Sequence, residues 1–210
     1  MRAKSTAALI ADLEKKADDI LVEFDQFTDE TRVLLLLQRA KEGGHNNKEH
    51  KRRRARYVTH NPEQFKRALL ELLILQATLA TEYRIYLSAS PRDVRKAEQE
   101  FKRLMLDVDF AEGENKRFFY EHLENKWISA LMSTNPVKDR GTFILDVDDP
   151  EIPHDLLGDV LKWCESNGVE ILKQYRTKNG WHIVTKPFNR VLYPIGYGEI
   201  KVDGLLLLSY

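Results

Sequence analysis

The sequence predicts a mixed α/β (α+β) fold in which helices and short strands alternate along the chain. Apolar residues recur at helical spacing over residues 5–24, whereas Val33–Leu37 and Tyr83–Ser88 are short runs bounded by polar turns, which is typical of strands. The last third, residues 141–210, consists of short apolar segments separated by turn residues. Because 42% of the 210 residues are hydrophobic, the chain has enough apolar surface for a buried core.

The N-terminal elements follow from local patterns. We predict an amphipathic helix within residues 1–30 and an αβ part over residues 31–90. In that part Val33–Leu37 fits a strand, with a helix as the alternative, and Arg53–His60 fits a second strand. Asn61 precedes a proline and a glutamate, which is the signature of a helix start, and apolar residues then continue at helical spacing.

The remaining residues divide into a helical part and a motif-bearing part. Residues 91–140 are predicted to hold two helices, and residues 141–210 carry the candidate functional residues. We interpret residues 31–210 as a single domain. The predicted elements are a helix opened by Ser90-Pro91, a helix over 115–132, a strand over Thr142–Val147, a helix over Pro153–Ser166, a strand over Val169–Tyr175, a hairpin through Lys178-Asn179-Gly180, and β segments at Glu199–Val202 and Leu205–Ser209.

Composition limits the class of protein. The 33 basic and 33 acidic side chains balance, so any nucleic-acid contact must come from a local patch. The single cysteine, Cys164, excludes an intramolecular disulfide and a cysteine-based zinc site, and it fits a buried, inert thiol. We find neither a signal peptide nor an apolar run long enough to span a bilayer, and we therefore expect a cytoplasmic protein without a membrane partner.

Two acids end the apolar segment Phe143–Val147. Residues two apart in a strand lie on the same face, so Asp146 and Asp148 are expected to project together. Paired carboxylates repel each other unless a cation lies between them, and oxygen-only ligands suit Mg²⁺ or Mn²⁺ that also contacts substrate phosphates. The pair predicts a divalent-metal site for phosphoryl or nucleotidyl transfer, with solvated acids at a strand end as the alternative.

Two later residues extend this candidate site. His182 follows Gly180 in a strand segment and is a candidate hydrogen-bond donor to phosphate, with a structural histidine as the alternative. Asp203 follows the segment Ile200–Val202 and is a candidate third metal ligand, with an ordinary turn residue as the alternative. We expect the strand ends to bring His182 and Asp203 into one pocket with Asp146.

In chain order, these segments resemble the catalytic core of the archaeo-eukaryotic primase and primase-polymerase superfamily. In that family an apolar strand ends in Asp-x-Asp, a second strand carries a histidine, and a third apolar segment ends in an acid. Asp146 and Asp148 match the first motif, His182 matches the second, and Asp203 matches the third. The serine that usually precedes the histidine is absent, and the chain lacks the cysteines of the family's zinc element.

The resemblance covers residues 33–210 and implies an antiparallel sheet of the RNA-recognition-motif type with flanking helices. It implies that Asp146, Asp148 and Asp203 bind Mg²⁺ or Mn²⁺ as catalytic metal ligands, and that His182 contacts the phosphates of a nucleoside triphosphate. The expected function is therefore nucleotidyl transfer by a primase or primase-polymerase on a DNA or RNA template. DNA replication is the expected process, with a replication protein as a further partner.

Basic residues offer contacts for both substrates. The segment from Lys48 to Arg56 holds six basic residues and one acid, and we expect it to bind the phosphate backbone of nucleic acid. Around His182, basic side chains are candidates for the triphosphate, and the nearby rings Tyr175, Trp181 and Phe188 are candidates for base stacking, although core packing is the commoner fate of large rings. The candidate nucleic-acid residues are Lys51, Arg52, Arg53, Arg54 and Arg56, and the candidate phosphate residues are Arg176, Lys178 and Lys186.

Two other functions fit parts of the pattern. A primase-like fold without catalytic turnover would bind nucleic acid or a partner protein. A phosphatase of the haloacid-dehalogenase type also begins with an apolar strand that ends in Asp-Val-Asp, its first acid being the nucleophile. That family has a threonine two residues after the second acid, where this chain has Pro150, so we rank the phosphatase last.

Overall fold

A computed structural model of the protein describes residues 6–38, 53–79, 83–109, 114–133, 141–148 and 155–210. The elements are α1 (Thr6–Glu23), β1 (Arg32–Gln38), β2 (Arg53–Thr59), α2 (Pro62–Thr78), β3 (Tyr83–Ser88), α3 (Val94–Asp109), α4 (Glu114–Glu121), α5 (Leu123–Ser133), β4 (Phe143–Asp148), α6 (Leu156–Ser166), β5 (Ile171–Arg176), β6 (Gly180–Thr185), β7 (Glu199–Val202) and β8 (Leu205–Ser209). The predicted mixture of helices with antiparallel strands is confirmed.

The chain divides into two compact units. We call the first the N-terminal unit; it comprises Met1–Leu87, Pro91–Asn135 and Leu207–Tyr210. We call the second the motif unit; it comprises Ser88–Ser90 and Pro136–Leu206. The sequence predicts one domain over residues 31–210, and whether the two units fold as one domain stays a prediction.

A four-stranded sheet forms the core of the N-terminal unit, with the strand order β2-β1-β3-β8. β1 pairs antiparallel with both β2 and β3. The run Val33–Leu37 is buried throughout, which explains why its sequence is continuously apolar instead of alternating. The strand interpretation of this run is therefore correct, and the helical alternative is wrong.

A partly buried chain of polar side chains links four elements of the N-terminal unit. Lys16 on α1 donates from Nζ to Ser209 Oγ on β8 at 2.7 Å, and Ser209 donates to Gln76 Oε1 on α2 at 3.0 Å. Gln76 donates in turn to the carbonyl oxygen of Tyr83 on β3 at 2.6 Å. Burial lowers the pKa of Lys16. Each of these polar groups thus has a partner where water is scarce, which limits the cost of its burial.

The first turns of two helices show which side chains cap them. Asn61 caps α2, because its side-chain oxygen accepts from Gln64 N at 2.9 Å, as the sequence predicts. The next helix begins at Val94 after Asp93, whose side chain accepts from Lys96 N at 3.1 Å. The prediction that Ser90-Pro91 opens this helix is wrong by several residues, because the capping side chain is that of Asp93.

The predicted helix over residues 115–132 is two helices, α4 and α5. At their junction the backbone amide of His122 donates to Phe119 O at 3.1 Å, which is the tighter i to i−3 pattern. The His122 ring stacks on Phe118 with 4.2 Å between centroids. The sequence pattern predicts one continuous helix here, and the turn at His122 divides it into two.

The motif unit contains an antiparallel sheet with the strand order β5-β6-β4-β7. On one face of it α6 forms an apolar core with the sheet, and Cys164 is fully buried there, as predicted. Burial raises the pKa of this thiol. The core residues are Leu145, Val147, Val160, Cys164 and Ile183.

Gly180 begins β6 directly opposite Asp148 at the end of β4. A Cβ atom at position 180 would overlap Val147 O and lie 2.7 Å from Asp148 Cα, so only glycine permits this approach. In the preceding turn Thr177 N donates to Gly180 O at 2.8 Å, which closes the predicted hairpin. Within the described parts of the chain, no helix has the length and apolar character needed to cross a membrane.

Candidate functional site

The register of β4 and β6 brings two of the predicted site residues together. Asp146 lies directly opposite His182, and opposed residues of an antiparallel pair project from the same face. His182 donates from Nε2 to Asp146 Oδ1 at 3.1 Å, since a carboxylate only accepts. The first and second motifs of the sequence therefore meet on one face of the sheet.

His182 is held from its other side by β5. Tyr175 lies opposite His182, and its hydroxyl is 2.8 Å from His182 Nδ1. With the proton of a neutral imidazole on Nε2, Nδ1 is the acceptor and the Tyr175 hydroxyl is the donor. Both residues are buried, so these contacts restrict the orientation of the imidazole.

Lys201 supplies the second partner of Asp146. It lies on β7 opposite Ile144, two residues from Asp146 on the same face, and its Nζ donates to Asp146 Oδ2. Burial acts to raise the pKa of Asp146, but hydrogen bonds from His182 and Lys201, together with the nearby positive charge of Lys201, lower it to about 2. Asp146 is therefore a carboxylate at neutral pH, with a partner at each oxygen. We refer to Tyr175, His182, Asp146 and Lys201 as the polar row.

Asp148 lies at the end of β4, where the strand leaves the sheet. It is two residues from Asp146 and so lies on the same face, as the sequence predicts, and it is exposed. Its neighbour in the register is Gly180, which has no side chain to cover it. The acid pair thus combines a half-buried carboxylate within the polar row and a solvated one at its edge.

Asp203 does not join the acid pair. Val202 lies opposite Phe143, so Asp203 follows β7 beside the start of β4, whereas Asp146 and Asp148 are at its end. The offset from Asp146 is four strand positions, or about 13 Å. Asp203 has a φ of 52°, which is typical of a turn residue. The expected cluster of three aspartates is therefore not formed.

Strand direction explains this correction. Because β7 runs antiparallel to β4, the residue that faces Asp146 is at the start of β7, and that residue is Glu199. Glu199 is exposed, and the sequence pattern did not predict it because it begins a strand instead of ending one. Next to it, Gly198 has a φ of 110°, and a Cβ there would overlap Asp146 O. The start of β7 thus passes close to the backbone of the first motif.

The donor set for a metal ion is smaller than predicted. Across the described ranges, no group of three or more His, Cys, Asp and Glu side chains is placed to hold a metal ion. An Mg²⁺ ion that also binds substrate phosphates needs only one or two protein carboxylates. Asp146, which is ionised, and Asp148, which shares its face, provide donors of that chemistry.

The predicted phosphate residues lie apart from His182. Arg176 is opposite Trp181 on the other face, with its guanidinium 5.3 Å from the centre of a Trp181 ring. Lys186 follows the far end of β6 and forms an ion pair with Glu170 at 2.7 Å. Lys178 is exposed in the turn that leads to β6. Instead of these three, the polar row contains Lys201, whose ammonium group contacts Asp146.

The predicted base-stacking rings have packing partners. Phe188 packs edge-on against Phe143 and Trp163, each with 5.4 Å between centroids. Trp181 packs against the core beneath α6, and Tyr175 belongs to the polar row. Core packing therefore accounts for Phe188 and Trp181.

The basic segment before β2 is described only in part. Lys51 and Arg52 lie outside the described residues, and Arg53 and Arg54 begin β2 without described side chains. Arg56 is held against α5, where it donates to Asn125 Oδ1 at 2.5 Å. Arg56 thus has a contact within the N-terminal unit, and nucleic-acid binding by the segment stays a prediction.

Comparison of the chain with protein-family models, curated proteins and solved structures found no match. The resemblance to primase-polymerases rests on residues of this chain alone. Of its motif residues, Asp146, Asp148 and His182 share one face of the motif-unit sheet, and Asp203 is apart from them. The activity that follows is developed below as a proposal.

Proposed function

We propose that this chain is a primase-polymerase-like nucleotidyltransferase that binds the phosphates of a nucleoside triphosphate at His182 and, through a divalent ion, at Asp146, with DNA or RNA as the template. One observation supports the proposal above all others: Asp146 and His182 lie opposite each other in β4 and β6. These residues come from separate motifs, and nothing in local sequence requires that the two strands pair in this register.

Each side chain has a separate role in the proposed site. His182 donates its Nε2 proton to Asp146 Oδ1 in this structure and would share it with a phosphate oxygen of bound nucleotide, while Tyr175 occupies Nδ1 and so favours the tautomer that carries this proton. Asp146 and Asp148 would hold Mg²⁺ or Mn²⁺ together with the phosphates. When bound, such an ion neutralises triphosphate charge and orients the attacking hydroxyl group.

The experiment combines nucleotide binding with primer extension. We expect the protein to bind ATP or a deoxynucleoside triphosphate in the presence of Mn²⁺ and to extend a primer on a template. Asp146→Asn should abolish extension, because the variant removes the carboxylate charge. Asp203→Asn is the matched control and should keep both activities, since Asp203 is four strand positions away. Nucleotide binding unaffected by Asp146→Asn and His182→Ala would contradict the proposed site.

A second candidate is a primase-like module that binds nucleic acid or a replication protein without turnover. The contact of Lys201 with Asp146 favours it, because an ammonium group already neutralises the carboxylate that a catalytic ion would need. Nucleotide or template binding that persists in EDTA, without product at any Mn²⁺ concentration, would support this candidate. Extension that depends on Mn²⁺ would exclude it.

A further inference from the structure

We infer that Lys201 is the resident counter-ion of Asp146, that it competes with a divalent ion for this carboxylate, and that nucleotide phosphates release it. The inference rests on the proposed function in one respect, namely that phosphates bind at this site. Lys201 matches no motif of the sequence and enters the site only through the register of β7 against β4.

The competition follows from the contacts of one carboxylate. Lys201 Nζ donates to Asp146 Oδ2, and His182 Nε2 donates to Asp146 Oδ1 at 3.1 Å. A divalent ion at either oxygen would lie beside an ammonium group, and like charges at that spacing repel strongly where water is partly excluded. In the absence of nucleotide, Lys201 therefore lowers the affinity of Asp146 for metal.

Of the two partners, Lys201 is the one that moves more easily. Its side chain is 34% exposed, whereas that of His182 is 11% exposed and also contacts Tyr175 at its other nitrogen. Lysine carries its charge on a flexible four-carbon stem. A triphosphate offers several charged oxygens to an ammonium group, so it is a stronger partner than one carboxylate. Nucleotide binding would thus move Lys201 and free Asp146 for the ion.

The first experiment measures Mn²⁺ alone, without nucleotide, from the electron paramagnetic resonance signal of the free ion. We expect Lys201→Met to raise Mn²⁺ affinity on the order of tenfold over the wild-type chain, because it removes one positive charge beside the site. Lys201→Arg keeps the charge and should bind as weakly as wild type. Lys186→Met is the matched control, since Lys186 pairs with Glu170 beyond the far end of β6.

The second experiment measures ATP binding in EDTA, where no ion is present. We expect wild type to bind ATP through Lys201 and His182, and Lys201→Met to lose about tenfold in affinity while Lys186→Met loses none.

A double variant tests where the ion binds, in the Mn²⁺ measurement without EDTA. Adding Asp146→Asn to Lys201→Met should cancel the gain in Mn²⁺ affinity. That result would locate the ion at Asp146.

The outcomes separate the inference from the proposed function. Equal Mn²⁺ affinities for wild type and Lys201→Met, with thermal unfolding showing both chains folded, would overturn the inference even if ATP binds. Failure of the wild-type chain to bind ATP under every condition would refute the proposed function. In that case a raised Mn²⁺ affinity of Lys201→Met would still support the competition between lysine and metal.

Discussion

Asp146 Oδ1 and His182 Nε2 are 3.1 Å apart, at directly opposed positions of two antiparallel strands. The pair is the centre of the polar row, which begins at the phenol of Tyr175 and ends at the ammonium of Lys201. Each member of the row contacts the next through a hydrogen bond or an ion pair. The first three predictions test this arrangement.

Tyr175→Phe should weaken nucleotide binding while the chain stays folded. The ring remains, but His182 Nδ1 loses its hydrogen-bond donor, so the orientation and tautomer of the imidazole are restrained only by the contact of Nε2 with Asp146. We expect about a fivefold loss of ATP affinity, which corresponds to ~1 kcal/mol for one hydrogen bond. Nitrogen NMR of His182 reports the tautomer directly. Tyr193→Phe loses a hydroxyl elsewhere in the motif unit and should leave both measurements unchanged; an equal loss in both variants would refute the role of Tyr175.

Asp146→Asn and Asp203→Asn should differ sharply in Mn²⁺-dependent ATP affinity. The first substitution removes the charge that lies between His182 and Lys201, and we expect at least a tenfold loss. The second keeps the side-chain size at a residue with a φ of 52°, a conformation that asparagine tolerates, and we expect less than a twofold change. A large effect of Asp203→Asn would restore the three-aspartate hypothesis.

Gly198→Ala should be more harmful than Gly196→Ala, although both glycines have positive φ, of 110° and 96°. At Gly196 an added Cβ meets nothing within 4 Å, so we expect a loss of about 1–2 kcal/mol in unfolding free energy from backbone strain. At Gly198 the Cβ would also overlap Asp146 O, so the loss should be larger and ATP affinity should fall as well. Urea unfolding measures the first effect, and equal losses would contradict the close approach.

Tyr193 should make the motif unit less stable at alkaline pH. Burial raises its pKa well above the ordinary value of 10, with smaller effects from the charges of Cys164 and Tyr197, and its hydroxyl donates to Tyr197 O at 2.7 Å. Because the unfolded chain loses this proton at a lower pH than the folded one, stability is complete below about pH 10 and falls as pH rises further. Tyr193→Phe should reduce this loss. Urea unfolding at pH 8 and 10.5 tests it, and parallel pH profiles would contradict it.

The basic residues of the segment before and within β2 should have two different roles, nucleic-acid binding and stabilisation of the fold. Replacing Lys51, Arg52, Arg53 and Arg54 by alanine should flatten the salt dependence of nucleic-acid binding, with a slope change of about 0.9 for each lost phosphate contact on duplex DNA. Arg56→Ala should instead destabilise the N-terminal unit, because it removes the contact with Asn125 on α5. Salt titration of DNA binding and urea unfolding measure the two effects. If the variant with all four residues replaced shows the same salt dependence of DNA binding as the wild-type chain, binding by this segment is refuted.

The sequence alone determined the elements whose signals are local. The capping side chain of Asn61 predicted the start of α2, and the apolar run Val33–Leu37 predicted β1. The alternation that puts Asp146 and Asp148 on one face was likewise predicted, because side-chain direction in a strand depends only on position. These features need no knowledge of which strands pair.

Tertiary structure decided which residues surround Asp146. Strand order and register put His182 and Lys201 in contact with this carboxylate, and the antiparallel direction of β7 moved Asp203 to the other end of β4. Glu199 faces Asp146 for the same reason. A sequence pattern shows where a strand ends but not which end of a neighbouring strand lies beside it, because pairing is set by contacts between residues that are far apart in the chain.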